Sequence, residues 1–504
     1  MNARPCPTWL FSAAFFLLTP VALAQPVPTP AGSSDDSRVT SVTQPAPSAA
    51  ETAPPGGADD SSATSTAPVA APSAAATAPA APAATLSPSS EAASAASATP
   101  PAASPTPAPA DANAAPKGLA ATKDGEATQW LADHFFGHIK VRGYTQFRFN
   151  QPTSNPDLVN LQGDKSMGGT SQFFIRRARL ILSGDIHPLV SIYLQSDFAN
   201  ATDSGLNFLQ MRDWYADIAA PGKEFRLRVG QSKVPYGFEN MQSSQNRLPL
   251  DRSDALNSAL ANERDLGLFF YWAPAHIRER FSALVKDNLK GSGDYGVVAL
   301  GVYNGQTANK PDLNGNKHVV ARVTYPFQIG KQYLEVGAGG YYGKYVVKKD
   351  AGIEGATEFN DARGHVAFIL YPQPFGIQAE YNMGIGPELT NVVTDTTGET
   401  PTYTGEVREK FLYGGYVLLS YKIEQKYLGT IIPYVRGMMY DGGKKHETNA
   451  PSYKVREAEV GLEWQPVGAI EFVSAFAAAE RTAGALPYEQ ERGVLGRFQL
   501  QINY

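Results

Sequence analysis

From about residue 138 onward, apolar and polar positions alternate with a period of two, the signature of strands whose two faces meet different surroundings. Ile139, Val141, Thr145, Phe147 and Phe149 interleave with Lys140, Arg142, Tyr144, Gln146 and Arg148. Ala178, Leu180 and Leu182 oppose Arg177, Arg179, Ile181 and Ser183. Val190, Ile192, Leu194 and Phe198 stand against Ser191, Tyr193, Gln195 and Asp197. Glu457, Glu459 and Glu463 interleave with Ala458, Val460, Leu462 and Trp464. The last ten residues, LGRFQLQINY, put Gly496, Phe498, Leu500, Ile502 and Tyr504 on one face, with Arg497, Gln499, Gln501 and Asn503 on the other.

A charged face could belong to the exterior of a soluble sandwich; the spacing of the turns favours a barrel instead. About sixteen such segments run to the end of the chain, an even number as bacterial barrels require. Alternate connections are tight: 187–189, 220–224, 327–331, 372–375 and 465–468. The others are longer and polar: 151–171, 234–263, 304–317, 348–359, 386–409, 441–452 and 479–492. Short turns on one rim and long loops on the other are how outer-membrane barrels are built. The expectation is therefore all-β: an antiparallel transmembrane barrel over 130–504. Its last strand pairs with its first, and the apolar face of 495–504 meets lipid. The link 274–294 breaks the rule, being long where a tight turn is expected.

The first 129 residues read differently. Arg4 precedes an apolar run from Trp9 to Leu18, and Ala22-Leu23-Ala24 offers a cleavage site, so 1–24 reads as a secretory signal peptide. The single cysteine, Cys6, lies inside that segment, leaving no disulfide, metal thiolate or cysteine nucleophile after cleavage. Residues 25–129 are rich in Ala, Pro, Ser and Thr and contain no aromatic residue, a composition expected to stay disordered as a periplasmic tail. No later segment offers the ~18 consecutive apolar residues of a transmembrane helix. A mean hydropathy of -0.26 does not argue against a membrane protein, because a barrel averages its two faces.

Charge changes the picture little. The chain has 43 basic and 48 acidic residues; 4 and 10 of these precede residue 138, leaving 39 against 38 in the barrel. Any preference for anions must then come from placement rather than from net charge. Alternation directs Lys140, Arg142, Arg148, Arg177, Arg179, Arg226 and Arg228 toward the lumen. Arginine suits oxyanions because its fork donates paired hydrogen bonds and stays charged. The connection 234–263 is long enough to fold inward, and carries Glu239, Arg247, Asp251, Arg252, Asp254 and Glu263.

Several stretches, in order, resemble the phosphate-selective porin O and P family: RRARLILSGDI, YLQSDFA, MRDWYADI, LRVGQSKVPYGFEN, NERDLGLFFYW and GVYNGQ. The resemblance covers roughly 138–504. It implies a sixteen-stranded outer-membrane porin of a Gram-negative bacterium, trimeric, passing small anions with phosphate as one candidate. Carried over by motif, lumen arginines fall on Arg177 and Arg179, a lumen acid on Asp213, and a basic residue leading into the constriction loop on Lys233. The terminal aromatic, Tyr504, resembles the signal by which the barrel-assembly machinery recognises its substrates.

No catalytic, cofactor or metal site is expected. Gly337 to Lys344 fails the phosphate-loop spacing, because Ala338 stands where a glycine is needed and Tyr345 follows Lys344. Asp312 to Lys317 lacks the glycine and closing glutamate of a calcium loop. Alternation brings no nucleophile, histidine and acid together, and nothing suggests nucleic acid as a partner. Two rivals stay open: a porin for other solutes, and an anchor holding the membrane to the cell wall through the 25–129 tail.

Overall fold

The structure, a computed structural model, describes residues 139–152, 171–199, 209–395, 397, 402–483 and 489–504. The signal and tail expectations for 1–129 lie outside the described residues. Sixteen long strands form the wall: β1 (Ile139–Pro152), β2 (Gln172–His187), β3 (Val190–Asp197), β4 (Gln210–Ala219), β5 (Phe225–Lys233), β6 (Arg264–Trp272), β7 (Val298–Tyr303) and β8 (His318–Ile329). They continue as β9 (Gln332–Val346), β10 (Glu358–Leu370), β11 (Phe375–Asp395), β12 (Thr402–Tyr421), β13 (Gly429–Gly443), β14 (Ser452–Val467), β15 (Ile470–Ala483) and β16 (Glu489–Asn503). Two short pieces complete the sheet: Ile353–Glu354 runs parallel to β12, and Ile423–Gln425 pairs with β13.

Each long strand pairs antiparallel with its neighbour, and β1 closes on β16 in a register running from Tyr144 opposite Asn503 to Pro152 opposite Leu495. The terminal alternation thus ends in a closed sheet with no open edge between first and last strand. Tyr504 and Gly143 exchange backbone hydrogen bonds at 2.6 and 3.0 Å. A side chain at 143 would collide with the Tyr504 ring, so glycine lets the terminal aromatic lie against β1.

The outward face is apolar all round: Leu268, Val323, Val366, Val417, Val435, Val460 and Phe498 are exposed. Near one rim, Trp464 stacks on Phe472, and Phe225 lies against Phe270 and Trp272. The inward face buries charge instead. Its register matches the alternation in most strands; β14, for example, buries Glu457, Glu459 and Glu463 while exposing Lys454, Arg456 and Val460. No helix among the described residues is long and apolar enough to cross a membrane, and Gly337 to Lys344 lies within β9.

Three connections depart from expectation, and one of them, 479–492, is strand over 479–483 and 489–492, where β15 and β16 pair from Ala479 opposite Gly493 to Ala483 opposite Glu489. The link 386–409 is mostly strand, because β11 and β12 pair almost to their tips, with a slip between Thr390 and Val393. Leu389 and Val407 are buried there with Tyr345, Val347 and Phe359, so apolar contact holds this hairpin above the wall. The 274–294 link carries a helix, α3 (Ala275–Lys286), on the rim of tight turns. Ile277, Phe281 and Leu284 recur at helical spacing and pack on Ala367, Ile369 and Tyr371. The chain beyond it crosses to β14, where Lys290 Nζ donates to Glu463 at 2.5 Å and Asn288 to Gln465 at 2.6 Å. Replacing Lys290 by methionine leaves Glu463 buried without its cation; the expected cost is about 3 kcal/mol, read as a lower melting temperature in detergent. An unchanged melting temperature would show that this crossing is not held by the pair.

Candidate functional site

The connection 234–263 lies inside the barrel, and its sequence explains why it stays there. It begins at Gly237, whose φ of 76° opens two short helices, α1 (Phe238–Met241) and α2 (Asp254–Ala259). An added side chain at 237 would meet Glu380 and Leu256 at 2.6 Å. Glu380, on β11, accepts the backbone N–H groups of Phe238 and Glu239 at 3.1 and 3.2 Å. Val234, Tyr236, Leu248, Leu256 and Leu260 supply an apolar underside packed on Tyr341, Tyr416 and Tyr434 of the wall. The loop therefore has a small core of its own, built against β9, β12 and β13.

Its charged residues complete the attachment. Glu239 accepts the Ser253 N–H at 2.9 Å and faces Arg436 of β13 at 3.7 Å. Asp254 pairs with Arg481 of β15 at 3.1 Å. Asp251 reaches the other side of the seam, pairing with Arg148 of β1 at 3.1 Å and with Arg497 of β16. Glu263 gathers Arg264 at 2.6 Å, Arg252 at 3.1 Å, Arg247 at 3.3 Å and Lys233 at 3.7 Å.

The acidic wall of β14 is consumed in the same way. Glu457 and Glu459 take the Arg436 guanidinium at 3.2 and 3.1 Å, Glu457 also takes Arg481 at 2.5 Å, and Glu459 accepts the Tyr434 hydroxyl at 2.7 Å. These carboxylates are buried beneath the loop rather than left facing water. On the opposite side, Ser243 is exposed, and Gln245, Asn246, Asp251, Ala261 and Asn262 are half-buried. Two of these residues reach the β1–β4 wall, Asp251 toward Arg148 and Arg176 and Asn262 toward Arg212.

That wall is rich in arginine, and two of its arginines are placed by β-bulges. Between β1 and β2, Gln146 pairs with Arg177 and Phe147 with Ile175, so Arg176 is the extra residue. Between β3 and β4, Gln195 pairs with Asp213 and Ser196 with Met211, so Arg212 is the extra residue. A bulge re-aims its side chain. Arg176 comes within 3.8 Å of Asp251, and Arg212 donates to the Asn262 carbonyl at 3.2 Å. Strict alternation would send both outward.

The motif-derived residues divide into paired and unpaired. Arg179 donates to Asp197 at 2.8 Å and to the Tyr144 hydroxyl at 2.8 Å. Asp213 is taken by Arg264 at 2.9 Å. Arg228 is held by both oxygens of Asp217 at 2.7 and 2.9 Å, and Arg226 pairs with Asp294 at 2.8 Å. Lys233 donates to the carbonyls of Asn240, Met241 and Gln242 at 2.9, 3.2 and 2.5 Å, fastening the loop's first turn. Arg177 differs. It is buried and donates to Gln146 at 2.8 Å, yet it has no carboxylate within ion-pair distance among the described residues, and its Nε has no partner. Its charged neighbours include Arg176, Arg179 and Arg148. Lys140 and Arg142 are exposed at the tight-turn rim.

Glu263 sits at the centre of the loop's cationic cluster. Burial pushes its carboxyl up, but Lys233, Arg252, Arg264 and Arg247 together outweigh burial and hold it well below the usual carboxylate range. Its folded value is therefore depressed relative to an unfolded value of about 4.3. The stability it contributes is complete above that value and is lost only as pH falls through the depressed one. Protonation of Glu263 is accordingly not expected to loosen the loop between pH 8 and about 5. A loop that loosens within that window, seen as new flicker in single-channel records, would contradict this.

The sequence model of one family, Phosphate-selective porin O and P, matches residues 155–502. The chain belongs to this family. It is an outer-membrane β-barrel porin of the Gram-negative type, a channel and not an enzyme. Among solved structures, the porin is similar to the outer membrane channel DcaP of Acinetobacter baumannii at 14% identity, with 73% of this chain and 97% of that one covered and a TM-score of 0.45. It is similar to OprB of Pseudomonas putida at 9% identity, with 76% and 97% covered and a TM-score of 0.45. A third, the anion-selective porin from Comamonas acidovorans, shares 10% identity, with 73% and 99% covered and a TM-score of 0.42. No curated protein sequence matches the chain.

Proposed function

We propose that this porin passes small anions along the β1–β4 side of its lumen, with the loop 234–263 as the constriction and phosphate as one candidate solute. The observation that carries the reading is Arg177, a buried guanidinium without a carboxylate partner, beside three other arginines. The barrel's near-neutral composition fits this reading. Its acids Glu457 and Glu459 on β14 are engaged with Arg436 and Arg481 beneath the loop, so they do not offset the arginines of the β1–β4 wall. Paired hydrogen-bond donors on Arg176 and Arg177 suit a tetrahedral oxyanion, and the acids Asp197, Asp213 and Asp251 nearby keep an anion from being trapped.

The remaining assignments follow the family and the sequence. Residues 1–24 act as an export signal, 25–129 as a periplasmic tail with the cell wall as a candidate partner, and the barrel works as a homotrimer in outer-membrane lipid. Tyr504, at the end of the closing strand, serves as the assembly signal. Phosphate added to chloride at the same face of a planar bilayer tests the solute. Block of the chloride current by millimolar phosphate, weakened about tenfold in Arg177→Ala, is the expected result, since loss of a charge-assisted contact costs roughly 1.5 kcal/mol. Undiminished chloride current would remove phosphate from the reading and leave a porin for other small anions.

A further inference from the structure

The same side of the lumen changes character toward the tight-turn rim. Tyr193 of β3 and Tyr215 of β4 sit directly opposite each other in the register, and their rings stack with centroids 5.2 Å apart and planes 11° from parallel. The far face of Tyr215 is covered by the Arg228 guanidinium, 3.7 Å from the ring centroid. The far face of Tyr193 is not closed in this way. Arg142 is its cationic neighbour, 5.9 Å away, and Arg142 is itself exposed. Tyr193 and Tyr215 line a half-open cavity of about 480 Å³ together with Lys140, Asp185 and Asp217. Asp217 is occupied by Arg228 and Asp185 by Lys223, leaving Lys140 and Arg142 as the cations available to a guest.

A plain oxyanion makes little use of such a place. Phosphate and chloride have no flat apolar face, so a tyrosine pair offers them nothing that water does not. A ring carrying one carboxylate matches it on both counts: the ring lies on the open face of Tyr193 while the carboxylate meets Lys140 and Arg142. Aromatic pairs add attraction beyond area burial when offset or tilted. The cavity lies within the size range of small-molecule sites.

We propose that the Tyr193–Tyr215 cavity is a docking subsite for aromatic monocarboxylates, so that the porin favours ring-bearing organic anions over inorganic ones at its tight-turn mouth. The inference rests on the anion-channel reading above. Chloride reversal potential, measured in the same membranes, separates the two. A channel that fails to select chloride overturns the anion reading, whereas a channel that selects chloride but ignores aromatic rings overturns only this subsite.

The test is block of the chloride current through the full-length protein by benzoate, cyclohexanecarboxylate and acetate, each added from the tight-turn side. Benzoate is expected to block at a concentration about fivefold lower than acetate, the ratio that one aromatic contact supplies. Cyclohexanecarboxylate, with similar bulk but no π face, falls between them. Tyr193→Leu should bring benzoate to the level of acetate while leaving the chloride reversal potential unchanged, and Tyr193→Phe should retain the preference. Equal block by benzoate and acetate in the wild type overturns the subsite whatever the variants do. Equal block by benzoate and cyclohexanecarboxylate does so too, because bulk alone would then explain it.

Discussion

Replacing Arg177 by glutamate is expected to abolish anion preference and shift the reversal potential in a chloride gradient toward the cation side. Arg177 has no carboxylate within ion-pair distance among the described residues and sits beside other arginines, so its charge is poorly compensated on the β1–β4 wall. A glutamate at 177 does more than delete that charge, because it puts a carboxylate beside Arg176 and Arg179 and offsets their field as well. Two unit charges changed within several ångströms of a narrow path alter the anion-to-cation permeability ratio by on the order of tenfold after screening. The variant should still fold, since a carboxylate among arginines gains partners. Arg177→Lys supplies the control: it keeps the sign of selectivity but weakens phosphate block, having lost the planar fork. A wild-type reversal potential in Arg177→Glu would show that the current does not pass this residue.

The second large effect is expected at Asp251. This carboxylate pairs with Arg148 and Arg497 and lies 3.8 Å from Arg176, so it pins the loop to the β1–β16 seam and neutralises the cations around Arg177. Asp251→Ala removes both functions. Arg148, Arg176 and Arg497 lose a carboxylate they share, at a cost of about 3 kcal/mol in stability, and the loop tip loses this attachment. Chloride conductance should rise severalfold at low salt, with more flicker, and converge on the wild-type value near 1 M, where the Debye length is about 3 Å. Conductance that is unchanged at low salt would mean that the loop is held elsewhere and that these arginines lie off the path.

Much of the barrel was legible because a strand in a two-faced environment writes its period into the chain. Phe498, Leu500 and Ile502 against Gln499 and Gln501 need no other information to be sided correctly. The bulged positions were harder, yet they left a trace. Phe173 and Ile175 are exposed at odd numbers, while Leu180 is exposed at an even one, and the phase slip falls at Arg176. The same slip separates Leu209 and Met211 from Trp214 and Ile218, around Arg212. Adjacent charged residues at a change of apolar phase therefore marked the inward arginines that strict alternation misassigned.

What alternation could not supply was pairing across the lumen. Asp213 and Lys233 are recognisable by motif, but their partners, Arg264 and the carbonyls of 240–242, are set by how the loop packs. The same holds for Glu457 and Glu459, whose sequence reads as negative charge in a pore and whose structure spends that charge on Arg436 and Arg481. The helix Ala275–Lys286 carried its own period, with Ile277, Phe281 and Leu284 on one face, but a rule of tight turns hid it.

The measurement that bears most directly on the account is the zero-current potential of the full-length porin in a planar bilayer under a tenfold potassium chloride gradient. An anion-selective potential is predicted, falling in size as both solutions are raised toward 1 M and the arginines are screened. A cation-selective potential, or one indifferent to salt, would contradict the claim that the loop covers the acids and leaves the arginines to the permeating ion.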